Sequence, residues 1–185
     1  MIYPLASAIA KTKISPNTIS LMGVIFALSS ATLYYYRELW IAATMLLVSG
    51  FLDALDGAVA RIEGKATKFG AFLDSLLDRY ADSAVIAAII LAGLCDLLLG
   101  IIALIGTLLV SYSRAKAELE GIQMSGIGLM ERAERILLIA VASFFNMLWL
   151  AIVLLAILTN VTVIHRALHV WSKLRMLKTL SQAHS

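Results

Sequence analysis

Residues 53–78 read "DALDGAVARIEGKATKFGAFLDSLLD". Asp53, Asp56, Asp74 and Asp78 fall within these 26 residues, and apolar sequence of membrane grade flanks them on both sides. An ionised side chain at the centre of a transmembrane helix costs roughly 2.5–3.5 kcal/mol on insertion scales. Four of them require a partner that no nearby run of bases supplies.

The rest of the chain defines the medium. It has 185 residues, of which 61% are hydrophobic and 15% charged, with a mean hydropathy of +0.92. A soluble domain of this size needs more polar surface, so the composition predicts an all-α polytopic membrane protein. Two prolines and no Gly- or Ser-rich linker predict a single domain over residues 1–185. The lone cysteine, Cys95, excludes an internal disulfide framework. The N-terminal "MIYPLASAIAKTK" has its bases after the apolar residues, which does not resemble a cleaved signal peptide.

A hydrocarbon core of about 30 Å takes about 20 helical residues. Four spans are predicted near 17–36, 39–62, 69–94 and 97–118. The 29 uncharged residues from Ile136 to Ile164 are too many for one untilted span. A turn at "FNM" around Asn146 divides them into spans near 130–145 and 148–172, six in all. Six spans with both termini in the cytoplasm put 14 of the 15 Lys and Arg residues inside and only Arg37 outside, a strong positive-inside bias. Five spans would send Arg166 to Lys178 outside. Residues 1–13 are read as an amphipathic helix on the inner surface, and 173–185 as a cytoplasmic tail. The expected location is the cell membrane, with the aspartates facing the cytoplasm.

Asp53 and Asp56 are three apart on the second span, and Asp74 and Asp78 are four apart on the third, so each pair shares a helix face. The short loop near 63–68 predicts that the two helices are antiparallel neighbours. Salt bridges to Arg61 and Arg79 could neutralise two aspartates but leave two more. Helix capping does not need two parallel pairs. A proton or cation pathway is the serious rival. A divalent metal fits best, because Mg²⁺ and similar ions prefer carboxylate oxygen and bind alongside substrate phosphates. Gly57 and Gly70 each cost about 1 kcal/mol against alanine in a helix; they serve either close packing or backbone access for a bulky ligand. Arg61, at the membrane surface, can fork onto phosphate.

Taken together these positions read Asp53-x2-Asp56-Gly57-x2-Ala60-Arg61-x8-Gly70-x3-Asp74-x3-Asp78. The pattern resembles the signature of the CDP-alcohol phosphotransferase family, with no position missing. The resemblance implies a membrane enzyme, usually a homodimer, that transfers a phosphatidyl-type group from a CDP-linked lipid to an alcohol and releases CMP. It implies two Mg²⁺ or Mn²⁺ ions per site, with Asp53, Asp56 and Asp74 as ligands. Asp78 then matches the general base and a possible ligand of the second metal, and Gly57, Arg61 and Gly70 match positions that hold the CDP moiety.

Further along, Ser111-Tyr112-x-Arg114-Ala115-Lys116-Ala117-Glu118 and Glu131-Arg132-x-Glu134-Arg135 are similar to the inositol-phosphate branch of that family. The acceptor implied is inositol 1-phosphate, and the acceptor-phosphate residues implied are Arg114, Lys116, Arg132, Arg135 and Arg166. From the residues alone, the bland alternative is surface pairing, since Arg114–Glu118, Lys116–Glu120 and Glu131–Arg135 are all four apart. Glycerol 3-phosphate is the competing acceptor and a cation or proton transporter the competing class, although no second copy of the aspartate pattern is found in the C-terminal half. No nucleic-acid partner is expected. Asp82 extends the Asp74–Asp78 stripe by a turn and receives no catalytic role, and His165, His169 and His184 receive none.

Overall fold

The computed structural model describes residues 2–11, 15–64, 67–124 and 126–183. Within them lie seven helices: α1 (Ile2–Lys11), α2 (Pro16–Tyr35), α3 (Leu39–Glu63), α4 (Lys68–Leu91), α5 (Leu97–Leu119), α6 (Arg132–Phe144) and α7 (Leu148–Ala183). No strand occurs among the described residues. Lys13, Lys65 and His184, which figure in the charge and histidine readings, lie outside them.

The helix ends follow local chemistry. Ser15 caps α2 by accepting from the Thr18 amide, with Pro16 in the first turn, where a missing N–H costs nothing. Thr67 caps α4 through the Gly70 amide, and Asp96 caps α5 through the Leu99 amide. Gly64 ends α3 in a left-handed conformation, φ 64°, which only glycine adopts without cost. The break between α6 and α7 falls at Asn146, φ 56°, as the sequence predicts.

Four helices, α2, α3, α5 and α7, are long and apolar enough to cross a membrane. α4 has the length but carries Lys68, Asp74, Asp78, Arg79 and Asp82. α6 has 13 residues, which at about 1.5 Å each is some 20 Å of helix. α7 does not stop near 172: the helix continues to Ala183, so the expected tail begins as helix.

α2 packs against both α3 and α4, α5 packs against α7, and α6 touches α3 and α7. The sequence reading is corrected at one point. α3 and α4 meet through their side chains and not through close backbone packing, because among the described residues none of their Cα atoms approach within 8 Å. α2 packs against both of them, and their aspartates face each other across a cleft. Gly23 of α2 sits at the α3 contact, where an added Cβ would lie 3.6 Å from the Leu52 Cβ and 4.0 Å from the Asp53 amide nitrogen. α1 packs on the same helix, with Ala6 buried beside Ile19, Leu55, Ala58 and Val59.

Apolar burial adds little to helix association in lipid, so packing and internal polar bonds carry it. Ser30 donates to the Ala42 carbonyl at 2.8 Å, joining α2 to α3. The hydroxyls of Tyr34 and Ser143 meet at 2.8 Å and join α2 to α6. At the opposite end from the aspartates, Arg37 donates twice to the Ala92 carbonyl and ties two turns together. α5 and α7 pack tightly at Gly106, where a Cβ would collide with Thr159 Oγ1. The segment before α6 is held on α7: the Leu129 amide donates to Thr162 Oγ1, and Gly128, φ 117°, leaves no room for a Cβ against Thr162.

Candidate active site

α3 carries Asp53 and Asp56 into the cleft, and α4 carries Asp74 and Asp78. One carboxylate oxygen from each of Asp53, Asp56 and Asp74 lies within 4.8 Å of the others. Asp56 is 5% exposed, and its Oδ2 is buried without a hydrogen-bond partner. Like charges this close repel, and a buried oxygen left unpaired costs about 1–3 kcal/mol or more. Three hard oxygen donors with an unsatisfied lone pair among them fit Mg²⁺ or Mn²⁺.

Asp78, expected as a fourth ligand, lies outside this trio. Its Oδ1 is 3.0 Å from Arg132 Nη1 and its Oδ2 is 3.7 Å from Arg79 Nη1. The first turn of α6 therefore reaches into the cleft. Glu131 and Glu134 form a reciprocal capping box that sets that turn, and it presents Arg132 and Arg135 three residues apart on one face. Arg132 Nη1 also lies 2.6 Å from Asp53 Oδ2, so one guanidinium nitrogen touches both aspartate-bearing helices. Arg132 Nε donates to Asp82 Oδ1 at 3.3 Å, and Arg135 Nη2 donates to Asp82 Oδ2 at 2.8 Å. Asp82 is the residue whose part sequence reasoning missed; the stripe of Asp74, Asp78 and Asp82 was visible, but its partners are 50 and 53 residues away.

Beside the trio opens a cavity of about 340 Å³, lined by Asp78, Asp82, Arg114, Arg132, Arg135 and Arg166 among others. Arg114 reaches it while paired with Glu118 at 2.9 Å. Arg166 is 1% exposed; its Nε donates to the Ile127 carbonyl at 2.7 Å and its Nη1 to the Val110 carbonyl at 2.5 Å. It therefore braces α5 and the segment before α6 as well as forming a wall of the cavity. Lys116 is not brought there. It pairs with Glu120 at 3.2 Å and borders a separate apolar groove between α5 and α7. The surface-pairing alternative thus describes Arg114 and Lys116, while Arg135 pairs with Asp82 and not with Glu131.

Gly57 and Arg61 form one patch on α3, since a Cβ on Gly57 would lie 3.7 Å from Arg61 Nη1. Gly70 stands where its amide donates to the Thr67 cap at 3.0 Å, and a Cβ there would crowd that hydroxyl at 2.9 Å. Its smallness thus has a local structural use.

Comparison with known proteins places this arrangement. The profile of the CDP-alcohol phosphatidyltransferase family matches residues 13–172. The archaetidylinositol phosphate synthase of Pyrococcus horikoshii is 40% identical over 172 residues, covering 93% of this chain and 92% of that protein. The crystal structure of Mycobacterium tuberculosis phosphatidylinositol phosphate synthase with CDP-DAG bound has a TM-score of 0.79 at 28% identity, covering 92% of this chain and 94% of the other. The structure of the same mycobacterial protein in complex with manganese and citrate has a TM-score of 0.78, also at 28% identity, covering 92% and 89%.

Proposed function

Because the chain belongs to the CDP-alcohol phosphatidyltransferase family, we propose that it transfers the diacylglycerol- or archaeol-linked phosphate of a CDP-lipid to inositol 1-phosphate and releases CMP. Membership of a transferase family sets aside the transporter reading. The observation that carries the choice of a phosphorylated acceptor is the cavity beside Asp78, walled by Arg114, Arg132, Arg135 and Arg166, and the inositol phosphate synthases among the relatives favour inositol 1-phosphate over glycerol 3-phosphate. A phosphorylated polyol needs such a cluster of cations; an uncharged alcohol does not.

Asp53, Asp56 and Asp74 would hold Mg²⁺ or Mn²⁺, with Asp78 as the candidate fourth carboxylate. When bound, the metal supplies positive charge to the diphosphate and its leaving oxygen. The chain's own residues do the rest. Gly57 and Arg61 offer an open, forked surface to the CDP moiety, and Gly70 lies on the facing helix. Arg132 and Arg135 fix the acceptor phosphate through charge-assisted hydrogen bonds, with Arg114 and Arg166 closing the cavity. Asp78, on the border between cleft and cavity, takes the proton from the acceptor hydroxyl. That oxygen bonds to the lipid-bearing phosphorus as the bond to CMP breaks. Lys116 stays a peripheral member of the basic cluster.

The same reading has α4 and α6 cross the membrane with the four apolar helices, giving six spans. Both termini and the site face the cytoplasm, residues 1–185 act as one domain in the cell membrane, and the chain works as a homodimer. Charge on α4 is tolerated because Asp78 and Asp82 pair inward with arginines. CMP release from CDP-lipid, assayed with inositol 1-phosphate, glycerol 3-phosphate and serine, with and without Mn²⁺, tests the proposal. Preference for glycerol 3-phosphate would replace the acceptor, and metal-independent release would remove the role given to the aspartate trio.

A further inference from the structure

We propose that Asp82 is the positioning residue of the acceptor site: its two oxygens hold Arg132 and Arg135 apart and aimed, and α4 sets their distance from Asp78. The inference rests on the reading of those arginines as ligands of the acceptor phosphate. Each Asp82 oxygen serves a different guanidinium, Oδ1 facing Arg132 Nε at 3.3 Å and Oδ2 facing Arg135 Nη2 at 2.8 Å. The carboxylate is only 13% exposed, so these pairs are shielded from competing water. Two guanidinia on one face of α6 repel each other, and a single anion between them offsets that repulsion while fixing both planes.

What Asp82 leaves free is as informative as what it binds. Arg135 Nη1 donates to the Met130 carbonyl, and its Nε is buried without a hydrogen-bond partner, on a side chain that lines the cavity. Both terminal nitrogens of Arg135 are thus held, by Met130 and Asp82, which fixes the guanidinium plane at the cavity wall with one N–H left unpaired. Asp82 follows Asp78 by four residues on one continuous helix, so about 6 Å of helical rise separates the proton acceptor from the anchor of the phosphate ligands. An acidic side chain would repel the acceptor's phosphate directly, so Asp82 acts through the arginines and is not itself a catalytic residue.

The test is steady-state kinetics of the full-length enzyme in proteoliposomes, with inositol 1-phosphate and CDP-lipid varied separately, for Asp82→Asn, Asp82→Glu, Arg135→Ala and the Asp82→Asn/Arg135→Ala double variant. Losing a charge-assisted anchor should raise the acceptor KM of D82N about tenfold, with the CDP-lipid KM changed less than about twofold. Adding D82N to R135A should cost clearly less than it does alone, since the residue it positions is already gone. D82E keeps the charge but lengthens the reach, and should raise the acceptor KM by an intermediate factor; it carries the test if D82N fails to assemble in the membrane. An unchanged acceptor KM in D82N or, failing that, in D82E overturns the proposal, as does equal loss for both substrates or full additivity with R135A. If R135A itself leaves the acceptor KM unchanged, the acceptor reading fails; if only the Asp82 variants are silent, the positioning role alone fails.

Discussion

Arg132 Nη1 lies 2.6 Å from Asp53 Oδ2, so a cation from α6 is ion-paired with a carboxylate of the candidate metal trio. On the proposed function, the half for the nucleotide and metal and the half for the acceptor would meet at this contact. Arg132 would then compete with a divalent cation for Asp53 while serving the cavity. Two unit charges about 4 Å apart interact by about 4 kcal/mol at an effective dielectric of 20, so removing one is felt strongly. In Arg132→Ala, Mn²⁺ should bind about tenfold tighter while turnover with inositol 1-phosphate falls. Mn²⁺ titration by calorimetry, alongside CMP release, reads both. Unchanged or weaker Mn²⁺ affinity would show that the contact does not govern the metal.

The trio itself makes a simpler prediction. Asp56→Asn or Asp74→Asn removes an anionic oxygen with little change of shape and should abolish metal-dependent CMP release. Asp78→Asn should keep CDP-lipid and Mn²⁺ binding and lose turnover, because Asp78 faces arginines and stands outside the trio. Loss of Mn²⁺ binding in that variant would make Asp78 a ligand first.

Arg135→Ala should weaken inositol 1-phosphate about ten- to hundredfold and leave CDP-lipid nearly unaffected, given roughly 1.5–3 kcal/mol for a charged hydrogen bond. Lysine should rescue only in part, since it keeps the charge and loses the fork. If the residue served only a surface pair, the effect would be at most about 1 kcal/mol with no acceptor selectivity. Separate KM values for the two substrates decide.

The orientation in the bilayer is open to labelling. In a Cys95→Ser background, single cysteines replacing Lys68 and Leu119 should react with an impermeant maleimide only from the cytoplasmic side. One replacing Phe145, in the turn between α6 and α7, should react only from outside. Outside labelling at position 119 would refute six spans.

Much of this architecture was legible in the residues because it depends on local signals. Turn chemistry at Asn146 and a 20-residue apolar period fix where helices stop. The aspartate spacings place two pairs on two faces whatever the surroundings. Contacts between distant helices left no such trace. A short loop between α3 and α4 implies close packing, yet among the described residues their Cα atoms stay more than 8 Å apart and the helices meet through side chains. The sequence pattern offers Arg166 as an acceptor-phosphate residue and gives no sign that two of its nitrogens are taken by carbonyls of Ile127 and Val110. Asp82 could be read as bonding Arg79 or a polar group on a neighbouring helix, but its actual partners could not be named because both come from a helix that begins 50 residues later.

α2 packs against both aspartate-bearing helices, so a change on its surface can bear on an active-site dimension. Gly23 carries no chemistry, but its Cα faces the very turn of α3 that presents Asp53. A methyl group fits at ordinary contact distance there, so alanine should be silent. A branched side chain would tilt that turn and move the carboxylate by a fraction of an ångström, enough to detune a metal site while every ligand remained in place. The fit of the aspartate trio to one divalent ion over another would thus be adjustable from a helix that carries none of the three aspartates.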